Sequence, residues 1–147
     1  MAYPVWWNTD ITIYNRYEDK TTNLITWHRH VIHGCFYKNA NNKVTVGQTV
    51  LETNNILIRI PEQPDYISYG EWVSIPNDQM NAYFTIHQGD IIVKGEVADE
   101  IDEYVKGMRS TDLLTKYKNY GECLTVVNYQ DNTGAGRVLP HYYVSGE

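Results

Sequence analysis

Hydrophobic and polar residues along this chain alternate with a period of two far more often than they repeat at helical spacing. In "DITIYNRY" (Asp10 to Tyr17), Ile11 and Ile13 fall on one side and Thr12, Tyr14 and Arg16 on the other, as expected of a strand with one buried face. Leu24 to Lys38 is a long β-rich run interrupted by Gly34, where a bulge or bend would let one strand serve two parts of a curved sheet. "NANNK" (Asn39 to Lys43) predicts a turn, because asparagine tolerates left-handed backbone and bonds its own main chain; Lys43 to Gly47 then reads as a returning strand. Ile56, Ile58 and Ile60 alternate with Leu57 and Arg59 until Pro61 ends the pattern.

Further strands are predicted at Glu71 to Ile75, in "DIIVKGEV" from Asp90, at Cys123 to Tyr129 and at Val138 to Val144. In "DIIVKGEV", Ile91 and Val93 should face away from Ile92 and Lys94. Pro61 to Gly70, Pro76 to Gln79 and the glycine-rich Gln130 to Gly136 read as loops or turns. Helical spacing enters only after Val97. Val97, Ile101, Tyr104 and Val105 recur beside Asp99, Glu100, Asp102 and Glu103, with Gly107 as a stop, and a second short helix is expected from Thr111 to Tyr120, packing through Leu113, Leu114 and Tyr117. About eight short strands with one or two helices inserted late describe a mainly β (α+β) fold, a single β-barrel or sandwich-like domain over residues 1–147.

A chain of 147 residues can bury a core without staples. Its two cysteines, Cys35 and Cys123, cannot make a disulfide framework and are expected to be reduced thiols. "MAYPVWWNTDITIYNRY" lacks a basic segment followed by an apolar one, and no apolar run reaches membrane-spanning length, so a soluble, cytoplasmically made protein is expected. Twelve basic and eighteen acidic residues give a net charge of −6, with the basic ones scattered, which argues against a surface that tracks phosphates. Thirteen tyrosines and four tryptophans against two phenylalanines suit half-buried sheet faces and interfaces.

The densest candidate chemistry is "TWHRHVIHGC" (Thr26 to Cys35). On an extended strand His28 and His30 share one face while His33 and Cys35 share the other, so one strand cannot gather all four around an ion. His28 and His30 alone have the His-x-His spacing of strand-borne zinc sites, but the third ligand is not announced, and structural positions on a sheet face explain them with less. "NTGAGR" (Asn132 to Arg137) lies between two strands and lacks the lysine and hydroxyl of a phosphate loop; a hairpin turn accounts for it. The acids of "EVADEIDE" fall on the solvent face of the expected helix and lack the alternating ligands and central glycine of a calcium loop. No nucleophile elbow and no flanked catalytic cysteine occurs, so no cofactor, metal or catalytic residue is predicted. Trp6, Trp7, Trp27 and Trp72 with the tyrosines could instead form an exposed platform for a carbohydrate or other ligand, or anchor a protein interface.

Four segments in order, "TWHRHVIHGCFYK", "ILIRIPE", "IHQGDIIVKGEV" and "VVNYQDNTGAGRVLPHYYVSGE", together resemble a family of small uncharacterised proteins encoded in tailed phages and prophages of Firmicutes. That family has an aromatic strand, here carrying Trp27, followed by a valine-isoleucine-x-glycine run. Its glycine-aspartate hook is matched by Gly89, Asp90, Lys94, Gly95 and Glu96, and its ending by Asp131, Asn132, Gly134, Pro140, His141, Tyr142 and Val144. The chain departs from the pattern at Tyr142, where tryptophan is expected, and at "TGAG", where a more basic turn is expected. The resemblance implies a virion structural protein at the head–tail connection, similar to head-completion and tail-joining proteins. It also implies a ring-forming homo-oligomer in the particle, with portal, adaptor or tail components as neighbours, and assembly in the host cytoplasm without membrane or DNA contact. On this reading the loops Gln48 to Asn55 and Pro61 to Gly70 would order against neighbours, and a helix from Val97 to Val105 would offer an acidic surface that repels DNA.

Overall fold

A computed structural model describes residues 3–19, 21–46, 49–103, 109–118, 122–134 and 139–146. Six strands form a closed antiparallel barrel in the order β1-β2-β3-β6-β5-β4, so the architecture is mainly β, as the alternation predicts. The strands are β1 (Thr9–Glu18), β2 (Ile25–Val46), β3 (Thr49–Pro61), β4 (Ile91–Lys94), β5 (Cys123–Asp131) and β6 (His141–Gly146). Helix α1 (Tyr69–Trp72) and a 3-10 segment (Asn77–Ala82) lie between β3 and β4, and helix α2 (Ser110–Lys118) lies between β4 and β5.

Alternation packs the interior. Ile11 and Ile13 of β1, Ile58 and Ile60 of β3, Ile92 of β4, Leu124 and Val126 of β5, and Tyr142 and Val144 of β6 meet inside, joined by Phe84 and Ile86 from the β3–β4 connection. At Gly34 the expected bulge occurs. Its φ is 75°, and the β1–β2 register shifts between Ile11↔Ile32 and Thr9↔Cys35, leaving one extra residue on β2. The bulge turns Cys35 inward beside Ile32 and leaves His33 outside, and it divides the strand: residues up to Cys35 pair with β1, those from Phe36 with β3. Both cysteines are buried free thiols.

Among the described residues the expected eight strands are replaced by six. "NANNK" does not turn; its backbone continues β2, with Asn41 opposite Asn54 and Lys43 opposite Glu52. Thr49 to Asn55, read as loop, is strand for the same reason, while Gln48 lies outside the described residues. Pairing along the whole hairpin outweighs the local turn preference of asparagine.

Glu71 to Ile75 is not a strand. Ser68 Oγ accepts from Glu71 N at 3.4 Å and caps α1, placing Trp72 in the core with its Nε1 donating to Met80 O. Pro76 to Gln79 opens the 3-10 segment rather than a simple turn. The first helix is thus not inserted late.

The helix expected at Val97 to Val105 is absent over residues 97–103; Tyr104 and Val105 lie outside the described residues. Three side chains on the outer face of β1 and β2 capture this segment. Thr12 Oγ1 accepts from Val97 N at 2.9 Å and donates to Gly95 O at 2.8 Å, Arg29 Nε donates to Val97 O, and Tyr14 OH donates to Asp99 O. Two carbonyls that a helix would use internally are thereby taken. Beneath and beside the segment, Tyr14, Ile91, Val93, Val97, Ile101, Leu113 and Cys123 form a second hydrophobic cluster on the outside of the barrel. β1 is consequently buried on both faces, not one.

Candidate functional site

The outer face of β3, β6 and β5 is shaped by what their inner positions do not use. Because Ile58 and Ile60 point inward, Arg59 and Pro61 point outward; because Tyr142 and Val144 point inward, His141 and Tyr143 point outward. Register sets Arg59 beside Tyr143, Pro61 beside His141 and Gln130 beside Tyr143. With Trp7, Asn132 and Leu139 these residues line an open groove of about 570 Å³.

Trp7 forms the groove's aromatic wall, and the segment before β1 holds it. A turn closes through Trp7 N donating to Pro4 O at 3.0 Å, leaving Val5 and Trp6 exposed at its corner. Tyr3 stacks on Trp7 with centroids 5.3 Å apart, and its hydroxyl donates to Pro140 O at 2.6 Å and accepts from Glu62 N at 3.1 Å. Trp7 meets the His141 ring edge-on at 5.9 Å and tilts against Phe36. The Arg59 guanidinium lies 5.9 Å from the centre of the Phe36 ring, a cation–π contact, and no carboxylate among the described residues pairs with it.

His141 is fixed at the groove floor, where its Nδ1 lies 2.6 Å from Leu139 O, an acceptor only. Nδ1 therefore carries a proton and Nε2 accepts from Asn132 Nδ2 at 3.3 Å. The lining offers a guanidinium, two amides, a phenol and an aromatic wall, which is chemistry for holding a ligand or a chain.

Of the residues singled out in the sequence, Trp7, Asn132 and His141 line this groove, and Pro140 supplies the carbonyl that anchors its wall. Asp131 and Gly134 shape the adjoining turn, Asp131 Oδ1 accepting from Thr133 N and Oγ1. Tyr142 and Val144 belong to the core, where Tyr142 packs against Tyr66 with centroids 4.0 Å apart; burial pushes its hydroxyl well above the ordinary phenol range. Trp27 packs on the outer cluster.

The glycine-aspartate hook is structural. Gly89 and Gly95 take φ values of 96° and 93°, which suit glycine, and Gly95 N donates to Asp10 O. Asp90 is buried and accepts from Asn15 Nδ2 at 2.9 Å, Arg16 N at 2.9 Å and His87 N at 2.8 Å. Burial raises its carboxyl to about 6, against the pull of those three donors. Asn15 continues the network to Thr85 O and Thr85 N, so Asp90 ties β1 to the chain entering β4. Lys94 is exposed over the Tyr37 ring, and Glu96 is exposed beyond it.

His28 and His30 do lie on one face, but each has another use. His28 Nδ1 bonds Asn81 Oδ1 at 2.7 Å, and the ring meets Trp72 edge-on; burial lowers its basicity. His30 stacks on Phe84 at 5.0 Å and lies 3.7 Å from Asp65. Among the described residues no group of three or more His, Cys, Asp or Glu is arranged to hold a metal ion.

The tryptophans do not make a common platform: Trp72 is fully buried and Trp27 half-buried, while Trp6 is exposed and Trp7 stands in the groove. Sequence reading missed Arg59, Tyr143 and Gln130. Their signal was parity, since each occupies the outward position of a strand whose inward positions were already assigned. No helix among the described residues is long and apolar enough to cross a membrane.

No curated protein and no solved structure matches the chain. The model of a family of unknown function, DUF6751, matches residues 6–147, and the chain belongs to that family.

Proposed function

We propose that this protein is a structural subunit of a phage or prophage virion, acting at the head–tail connection through protein–protein assembly and not as an enzyme. The observation that carries the assembly reading is the ribbon at the end of β2 and β3. Among the described residues, Ala40 to Val46 and Thr49 to Asn55 pair only with each other, so this arm extends about 23 Å beyond the barrel with both edges unpaired. A free two-stranded ribbon is marginal in water and gains most of its stability when a neighbour covers it. The barrel interior is packed with side chains, which leaves the outside to do the work. The phage setting comes from the resemblance of the hook and the terminal segment described above; portal, adaptor or tail components are the neighbours it implies.

Cryo-electron microscopy of assembled particles tests the reading directly. Density for the barrel at the connection, with the ribbon laid on a neighbouring chain, is the expected result. A variant that joins Ala40 to Asn55 through a short turn should keep its thermal unfolding transition yet fail to enter particles. Particles that lack the protein altogether would overturn the proposal. The groove with Trp7, Tyr143 and the amides of Gln130 and Asn132 favours a second reading as a carbohydrate- or ligand-binding module. Saturable binding of a glycan that Trp7→Ala abolishes, in a protein absent from particles, would replace the first reading by the second.

A further inference from the structure

The groove and the captured segment lie on opposite sides of the barrel and differ in charge. In a closed ring ordered β1-β2-β3-β6-β5-β4, β6 stands across from β1. The face centred on β6 carries Arg59 and, at its β2 margin, the exposed Lys38, which follows the inward Tyr37. The outward residues there, Leu57, Tyr143, His141, Ser145 and Gln130, include no carboxylate.

Across the barrel, the segment over β1 holds Glu96, Asp99, Glu100, Asp102 and Glu103 within eight positions. Asp99 is taken up by Lys116 at 2.9 Å and Tyr117 at 2.7 Å, and Glu103 by Ser110 N at 2.6 Å. Glu96 and Glu100 are exposed and have no ion-pair partner among the described residues. Glu100 stands at the rim of a mostly polar surface hollow that it shares with Trp27, Arg29, Asn81 and the buried Ile101. The groove presents the complement, a guanidinium with donor amides beside Trp7 and Phe36.

Two unlike, complementary faces set across one barrel are what a head-to-tail contact between identical chains requires, whereas a two-fold contact would bring like charge to like. We infer that the groove over β6 receives the Glu96–Glu100 segment of a second copy of this chain, with the exposed Glu100 on Arg59 and the exposed Glu96 toward the donor amides of Gln130 and Asn132. The contact is heterologous, so it propagates into rings or filaments rather than stopping at a dimer. It rests on the assembly reading only for its setting; the charge pattern holds for the isolated chain.

Sedimentation of the full chain at low and high salt tests this. The expected result is concentration-dependent association that weakens as salt rises, because exposed ion pairs are screened. Arg59→Glu should weaken association about tenfold and Glu100→Arg similarly, whereas the two single variants mixed should associate in alternation, because each groove then meets a segment of opposite charge on the other variant. Combining Arg59→Glu with Glu100→Arg in one chain should restore association, since the swapped pair meets again across each interface. Far-ultraviolet circular dichroism confirms that each variant folds.

A wild-type chain that stays monomeric up to about 1 mM overturns the inference, as does a double variant no better than the singles. If a uronic-acid oligosaccharide quenches Trp fluorescence saturably in the wild type but not in Trp7→Phe, and the chain stays monomeric, the groove belongs to a ligand instead. Particles that contain a protein monomeric in solution and without copy-to-copy contact would leave the proposed function standing and this inference overturned.

Discussion

The two hydrophobic clusters of this protein share β1 and differ in what holds them. Inside the barrel, most residues arrive by strand alternation, with Phe84 and Ile86 added from the β3–β4 connection, and neighbouring strands close the volume on all sides. On the outside, Thr12, Tyr14 and Arg29 reach across to backbone atoms of Gly95, Val97 and Asp99, and only then do Val97 and Ile101 cover Ile91 and Val93. The inner cluster is a consequence of periodicity; the outer one depends on a few side-chain to main-chain hydrogen bonds. A sheet face can thus be covered by irregular chain as well as by a helix, provided its polar atoms find partners.

The largest test of that difference is a matched pair of truncations. Ile58→Ala should cost about 4 kcal/mol and Leu113→Ala about 2.5 kcal/mol in urea unfolding, because a closed barrel cannot collapse onto a cavity whereas α2 can shift inward. Equal costs would erase the distinction. Next in size is Thr12→Val, expected to cost about 2 kcal/mol by leaving the buried Val97 N–H unpaired, with faster amide exchange at Val97. Tyr14→Phe, which frees a carbonyl that water can reach, should cost about 1 kcal/mol.

Asp90 sharpens the comparison through pH. Its folded carboxyl titrates at about 6, above the ordinary 3.8, so the unfolded chain releases this proton first as pH rises. Stability from this group is therefore fully present below about pH 4 and is lost as pH climbs to about 6, opposing the usual trend for paired carboxylates. Urea midpoints between pH 4 and 7 should show that fall. Asp90→Asn should lower stability by about 2 kcal/mol near pH 4, since its amide would face Arg16 N donor to donor, and the deficit should shrink as pH rises because the variant lacks the titrating group, flattening the fall. The smallest effect belongs to the surface: His33→Ala breaks an exposed pair with Asp10 at 3.1 Å and should cost less than about 0.5 kcal/mol.

Some misread elements carried a legible signal. Ser68-Tyr-Gly-Glu71 is a serine followed three residues later by glutamate, the pattern of a helix start, and it marks α1 where β-propensity alone suggested strand. Others carried none. Nothing local distinguishes "NANNK" in a ribbon from "NANNK" in a turn, because the deciding hydrogen bonds come from Glu52 to Ile56, across the hairpin. The groove is intermediate: the outward direction of Arg59 and Tyr143 follows from parity, but their meeting requires β3 and β6 to be neighbours, and more than seventy positions separate them.

The sequence by itself determined most of the barrel's inner surface, the bulge at Gly34, and the position and packing face of α2. Each rests on contacts within a few residues or on a period the chain repeats. Only the tertiary structure decided which strands are neighbours, that residues 97–103 lie as captured coil, and that a cationic aromatic groove stands across the barrel from an acidic segment. Those depend on closure of the ring, which joins residues far apart in the chain through partners that no local pattern names.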